Sequence, residues 1–465
     1  MITTNRLNPP NSTKIFCLSY LVLLLISLIL ILFDQISLAI LIAILPLLVL
    51  VSFYSIRNYR VFGWLIILIQ AFGDLSFSNN DVFTISKIGI GFLFLAVVLT
   101  DGFSINGISV YYLVASILLI TYNFITLFWS EMPESSLTRI ISLLFLVLTS
   151  YLISFYLSKG KNAIGFFEGY IIFSLLNSVI TLLQSYRIIN EFSSLYTSTQ
   201  IIREGGVLIN PNANSFQISL GLVLIFLNLF LKKGNRILIQ SLFANMLLFV
   251  VCLLAILATQ SRGGLVSLVI GLTSIIIYYL INSRKIGKVF LITICIIGAT
   301  LVVYYIFPQY FIEIFGRFLA TTTDKFSSRQ DIFLLAWKLF LKKPYLGYGP
   351  GMFYYLSLPV FGKSLVVHNT FLELLIDGGI VNLIIFLFII LVYINLFLKL
   401  PNKVFFITKI SLLSLSLTIF SMMMTGTYLT DKNLWILIGI TSGITQAYKG
   451  NRLIGRKLNI AFNKT

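Results

Sequence analysis

The chain holds one histidine, His368, inside the polar stretch His368-Asn-Thr-Phe-Leu-Glu-Leu-Leu-Ile-Asp-Gly-Gly379. An imidazole, with an ordinary pKa of about 6.5, is the usual general base near neutral pH. Two readings are open: a structural histidine at a helix start, or a group that takes a proton from an acceptor hydroxyl or orients it. Glu373 and Asp377 lie one helical turn apart, and Glu373 is accounted for by a Thr370-x-x-Glu373 capping pattern. Two arginines stand on other polar stretches. Arg262, in Thr259-Gln-Ser-Arg-Gly-Gly264, sits where two apolar runs turn tightly. A guanidinium there is costly unless solvated or paired, so it is a snorkelling interfacial side chain or a grip for an anion. Arg329 falls in the first turn of a predicted helix, where its charge opposes the macrodipole but favours a bound anion. Arginine plus a helix N-terminus is a sound phosphate grip; a solvated surface arginine is the plain alternative. Arg203 precedes Asn210-Pro-Asn-Ala-Asn214. Asparagines such as Asn210, Asn212 and Asn369 can cap a helix and can also hydrogen-bond sugar hydroxyls, and capping accounts for at least one of them.

Other chemistries are not supported. Cys17, Cys252 and Cys295 lie far apart in apolar runs, without metal-ligand spacing or a disulfide framework. There is no Walker loop and no dinucleotide fingerprint. No metal and no cofactor are implied, and the driving force must come with the substrate.

The elements that must position these residues are membrane helices. Of 465 residues 58% are hydrophobic and 10% charged, against about a quarter charged in a soluble chain; mean hydropathy is +1.00. Runs near the roughly 20 residues a crossing needs occur near 16–33, 36–55, 83–100, 108–129, 138–158, 163–187, 213–231, 237–258, 263–282, 287–307, 379–399, 404–424 and 433–448, with an ambiguous one at 61–76. The first lacks a small-residue cleavage site and reads as a retained helix. The expected fold is all-α: a single polytopic integral membrane domain over 1–465, with about 12–14 transmembrane helices. With both ends in the cytoplasm, most Lys and Arg fall on the inner side, where Asp101 and Glu168 are the only anions. That is the positive-inside pattern. It turns the net charge of +18 into a topology signal and removes nucleic acid as a partner. It also places the polar stretches together on the outer face.

The longest break between apolar runs, 308–378, is then an external loop. Ser328-x-x-Asp331 starts an amphipathic helix carrying Ile332, Leu335, Ala336, Leu339 and Phe340, and Lys342-Lys343-Pro344 ends it. Gly347, Gly349, Pro350 and Gly351 form a tight turn. A second short helix begins at Thr370 and stops at Gly378-Gly379, placing His368 just before a helix start.

The order Asn210-Pro-Asn, Ser261-Arg-Gly-Gly264, Arg329 with Trp337, Gly347-x-Gly-x-Gly351, His368-Asn369, Gly378-Gly379 and Asp431-Lys-Asn-Leu-Trp435 resembles the O-antigen ligase and polymerase family of bacterial membrane glycosyltransferases. The resemblance covers roughly residues 200–440; Gly264 stands where the family often has alanine. It implies a type C glycosyltransferase-like fold and a metal-independent transfer from a glycan on a polyprenyl diphosphate. The site would face the periplasm or cell exterior, on a multi-pass protein of the bacterial cytoplasmic membrane. Arg262, Arg329 and, more weakly, Arg203 would hold the diphosphate. His368 would handle the acceptor hydroxyl, and Asn210, Asn212 and Asn369 would contact glycan. The acceptor is a second lipid-linked glycan in a polymerase, which leaves room for a chain-length regulator as partner, or lipid A core in a ligase. Polymerase is placed first because repeat-unit polymerases are the more varied group. A flippase for the same lipid-linked glycan would need ionisable groups deep in its helices, and only Lys87, Glu168 and Arg139 are candidates. A non-enzymatic export partner would need neither the histidine nor the external arginines.

Overall fold

A computed structural model describes residues 51–71, 84–102, 108–189, 206–208, 210–283, 286–320, 329–400, 406–424, 426 and 432–454. Helices dominate the described residues: α1 (Tyr59–Ala71), α2 (Ile85–Asp101), α3 (Val110–Ile125), α4 (Pro133–Ser158), α5 (Ile164–Ser185), α6 (Pro211–Phe230), α7 (Leu242–Ala258), α8 (Arg262–Ser283), α9 (Ile286–Ile306), α10 (Pro308–Ala320), α11 (Arg329–Lys342), α12 (Phe353–Phe361), α13 (Thr370–Leu398), α14 (Phe406–Met423) and α15 (Lys432–Ile454). Among the described residues eight stretches are long and apolar enough to cross a membrane, and three shorter apolar helices accompany them. The protein is an all-α polytopic membrane protein. The runs expected near 16–33 and 36–55 lie outside the described residues, apart from the last few of the second. The ambiguous run at 61–76 is α1, with 13 residues. At 1.5 Å per residue it is about 20 Å long, against a hydrocarbon core of about 30 Å. It packs on α5 within the bundle: Phe62 and Ile66 are fully buried, and Phe62 stacks on Tyr156 with centroids 3.8 Å apart.

Lipid offers no hydrophobic drive between helices, so close contact depends on small residues and shared hydrogen bonds. The α4–α15 pair shows this. A Cβ on Gly439 would lie 2.7 Å from the Ser150 carbonyl oxygen, and one on Gly443 would lie 2.7 Å from that of Ser154. Ser154 Oγ donates to Ser442 Oγ at 2.9 Å. Helix α6 is central, with neighbours α5, α7, α8 and α14. Its polar side chains are matched by partners: the Asn214 amide donates to Thr181 Oγ1 at 2.9 Å, and that of Asn228 to Asn245 Oδ1 at 2.9 Å. Glu168, one of the deep ionisable groups, is paired too. Trp64 Nε1 donates to it at 2.9 Å, and Arg60 Nε lies 3.5 Å away.

The 308–378 segment is more ordered than its low hydropathy suggests. Its expected amphipathic helix is α11, while Ser328 lies outside the described residues. Two further helices were not foreseen: α10 lies in the segment read as the start of the external loop, and α12 contains Pro359, a helix breaker by rule. Ile332, Ala336 and Leu339 of α11 bury against Met352, Phe353, Val367 and Ile376, forming a second small core outside the main one.

Candidate functional site

Arg262 opens α8. Thr259 ends α7, and Gln260 makes the reversal in a left-handed conformation, φ 51°. Ser261 Oγ accepts from Gly264 N at 3.2 Å and donates to Asn212 Oδ1 at 3.0 Å. It therefore caps α8 and ties it to the first turn of α6. The arginine is fixed at the junction of two helix starts rather than trailing from a loose loop. A Cβ on Gly264 would sit 2.4 Å or less from the Ser215 side chain. The glycine that departs from the usual alanine is the residue that lets α8 pass Ser215 of α6.

His368 is carried by the start of α13. Asn369 is the N-cap: its side chain accepts from Phe371 N and Leu372 N, both at 3.0 Å. The expected capping pattern is thus displaced by one residue. Thr370 is the first helical residue, and its Oγ1 donates to Gly426 O at 3.3 Å. Glu373 falls beyond the capping position, so capping does not account for it; the side chain is buried. His368 itself has φ 56°. Left-handed backbone at a non-glycine residue costs of order 1–2 kcal/mol, and such strain gathers at functional sites.

The short helix stops at Gly378-Gly379 as expected, and the break serves as a docking point. Gly379 has φ 66°, and a Cβ there would meet the backbone of Tyr345. Tyr348 N donates to Ile376 O at 2.8 Å, Gly349 N to Asp377 O at 2.7 Å, and Ile380 N to Pro344 O at 2.8 Å. The Asp377 carboxylate accepts from Gly351 N at 3.0 Å. The glycine-rich turn and the glycine pair therefore form one interlocked knot. Three side chains near the α3–α4 connection strap it to the bundle. Tyr122 OH donates to Gly378 O at 2.6 Å, Trp129 Nε1 to Leu346 O at 3.2 Å, and Ser136 Oγ to Pro350 O at 3.0 Å. Tyr122, Trp129 and Ser136 were not singled out in the sequence. Tyr122 and Gly378 stand 256 residues apart, and no local pattern signals such a pair.

Arg329 is the first residue of α11. Its guanidinium is shifted down from the ordinary arginine value, by burial first and by the positive charge of Arg262 second. The His368 imidazole is pushed down to about 4, by burial first and by the positive charge of Arg329 second. Arg262, Arg329 and His368 thus occupy one electrostatic neighbourhood, although 106 residues separate the outer two in sequence (262 to 368). Burial and like charge act in the same direction. Both disfavour a further proton, and the like charge favours an anion that neutralises the arginines. Asn210 caps α6, accepting from Asn212 N at 2.9 Å and Ala213 N at 3.4 Å. Asn212 holds Ser261, and the Asn369 amide donates to Met424 O at 3.4 Å. Arg203 lies outside the described residues. Among the described residues no group of three His, Cys, Asp or Glu could hold a metal ion.

The arrangement defines a class: a multi-pass helical membrane protein in which two half-buried arginines and a half-buried imidazole share one electrostatic neighbourhood. The O-antigen ligase family model matches residues 247–387, from α7 into α13, and that span contains Arg262, Arg329 and His368. The match supports assignment to the O-antigen ligase/polymerase family and a glycosyl-transferring activity of that general type, and it lends no support to a flippase. No curated protein matches the chain.

Proposed function

We propose that the protein polymerises lipid-linked oligosaccharide repeat units of an O-antigen, capsule or exopolysaccharide. The donor is a glycan on a polyprenyl diphosphate at the outer face of the bacterial cytoplasmic membrane. An acceptor hydroxyl oxygen attacks the anomeric carbon, the bond from that carbon to the diphosphate oxygen breaks, and polyprenyl diphosphate leaves. The hydroxyl proton passes to the free ring nitrogen of His368. Charge gathers on the departing diphosphate, where Arg262 and Arg329 face it. Fixed donors aimed at developing charge in a partly dry site are worth about 3–4 kcal/mol each.

The observation that carries this reading is the coupling of the three groups. An imidazole lowered to about 4 is neutral throughout the physiological range and able to accept a proton, but it is a weak base. Binding a diphosphate between the arginines cancels the charge that helps hold it down, so its basicity rises only when donor is present. The positive-inside pattern of the loops supports placing the pocket away from the cytoplasm.

Transfer to lipid A core is the second reading, favoured by the wording of the matching family, O-antigen ligase. The donor half of the site would be unchanged and only the acceptor would differ. The glycan of a deletion strain tests the two. Single repeat units on the usual acceptor support the polymerase. Long chains stranded on polyprenyl diphosphate support the ligase, and a normal polysaccharide contradicts both.

A further inference from the structure

The end of the bundle opposite the cationic pocket carries a second built feature. Helix α7 runs from the connection at residues 231–241 to the turn that bears Arg262. With 17 residues it puts about 25 Å between the two. The 231–241 connection is held rigid from beneath. Asn228, fully buried, accepts from Ile237 N at 2.7 Å and donates to Ile237 O at 2.8 Å and to Asn245 Oδ1 at 2.9 Å. Asn245 donates to Ile239 O at 2.9 Å and Ser241 O at 2.6 Å. Arg236 Nε donates to Asn228 O at 3.2 Å, and the Gln240 side chain closes the loop on Gly234 N at 2.8 Å and Arg236 O at 2.9 Å. What this frame presents is Lys232 and Lys233, both exposed.

Directly beside it lies an apolar slot of about 170 Å³ between α6, α7 and α9. Leu229, three residues before Lys232, forms one end, with Phe243, Met246, Leu247 and Val250 along α7 and Ile292 and Ile296 along α9. Phe243 is 76% exposed and Leu247 55%, so the slot opens sideways toward the bilayer. An apolar slot open toward the bilayer, at the same helix end as two exposed cations on a hydrogen-bonded connection, matches a hydrocarbon chain with an anionic head. We propose that this slot and Lys232–Lys233 bind an anionic diacyl phospholipid of the leaflet opposite the reaction site. Cations close to a membrane surface each favour an anionic lipid, and a rigid loop loses little entropy in holding the head. The inference stands independently of glycan transfer.

Native mass spectrometry of the full-length protein in detergent, with phosphatidylglycerol or phosphatidylethanolamine added, tests it. The wild type should retain phosphatidylglycerol about tenfold or more in preference. K232Q/K233Q should lose that preference while its lipid-free melting temperature stays unchanged, since both side chains are exposed. Val250→Trp, which fills the slot, should lower bound phosphatidylglycerol with the lysines intact. Should Val250→Trp not fold, the lysine pair decides alone. Equal retention of both lipids means bulk annular lipid only and overturns the proposal. So does an undiminished preference in K232Q/K233Q.

Discussion

His368 carries two demands on one residue. Its ring must stay neutral beside a guanidinium, and its backbone must hold φ 56° so that Asn369 can cap α13. The two demands separate by substitution. His368→Gly and His368→Ala should both abolish polymer formation in membranes with normal protein levels. The glycine variant should melt as the more stable of the two by about 1 kcal/mol, because only alanine keeps the left-handed penalty. The pH dependence follows from the lowered imidazole value. A base that is neutral from high pH down to about 4 stays competent through mild acid. The acidic limb of kcat/KM, which reports the free enzyme, should therefore lie well below the ordinary histidine range of about 6.5. Removing the positive neighbour raises the value, so Arg329→Gln should move that limb upward in pH. It should also reduce kcat about 100- to 1,000-fold, the usual loss for one charge-stabilising donor, as measured with purified enzyme and lipid-linked repeat units. The candidate residues stand out in the sequence, because a lone histidine and arginines on polar breaks are conspicuous in a greasy chain. Their mutual effect was not legible, since charge coupling depends on folding distance. Nor was the cap placement: Thr370 and Asn369 are both good capping residues, and the choice between them rests on φ and ψ.

At the scale of elements, the site depends on helix starts held against other helix starts. Ser261 joins α8 to α6, and the knot of Gly347–Gly351 with Gly378-Gly379 seats α11 and α12 beside α13. Gly379→Ala should release that knot, since the added Cβ meets the Tyr345 backbone. The expected result is loss of activity with new protease cleavage between 343 and 378. Gly264→Ala should slow transfer because Ser215 must move, and Ser215→Gly should restore much of the loss. A double-mutant cycle reads this coupling, and purely additive effects would contradict the contact. Gly-x-Gly-x-Gly was readable as a tight turn, and Gly378-Gly379 as a stop. That the two lock together was not readable, because the pairing is by backbone groups common to every residue. Helix α12 was missed because Pro359 argues against a helix on local rules, whereas α10 carries a readable amphipathic pattern, with Tyr310, Phe311, Ile314 and Phe315 at helical spacing.

The whole molecule is a bundle with two unlike ends. One end joins arginines, imidazole and the glycine knot; the other presents Lys232, Lys233 and Arg236 on a hydrogen-bonded loop. Hydropathy made most spans legible because bilayer thickness imposes a length on them. It could not supply the packing that puts α6 at the centre, since every helix facing lipid or protein is about equally apolar. The small-residue contacts of Gly221 in α6 with Ser174 of α5, and of Gly264 and Gly271 in α8 with Ser215 and Val223 of α6, carry that information. Single cysteines at Lys363 and Lys233, both exposed, should label from opposite sides of the membrane, Lys363 from outside intact cells or spheroplasts. The most direct test of the account uses the fact that the chain has one histidine: an NMR titration of its imidazole in the purified protein. The expected value is about 4, raised by Arg329→Gln and raised again in the wild type when pyrophosphate is added. A wild-type histidine that titrates at about 6.5, and moves with neither, would mean that arginine and imidazole do not share a pocket.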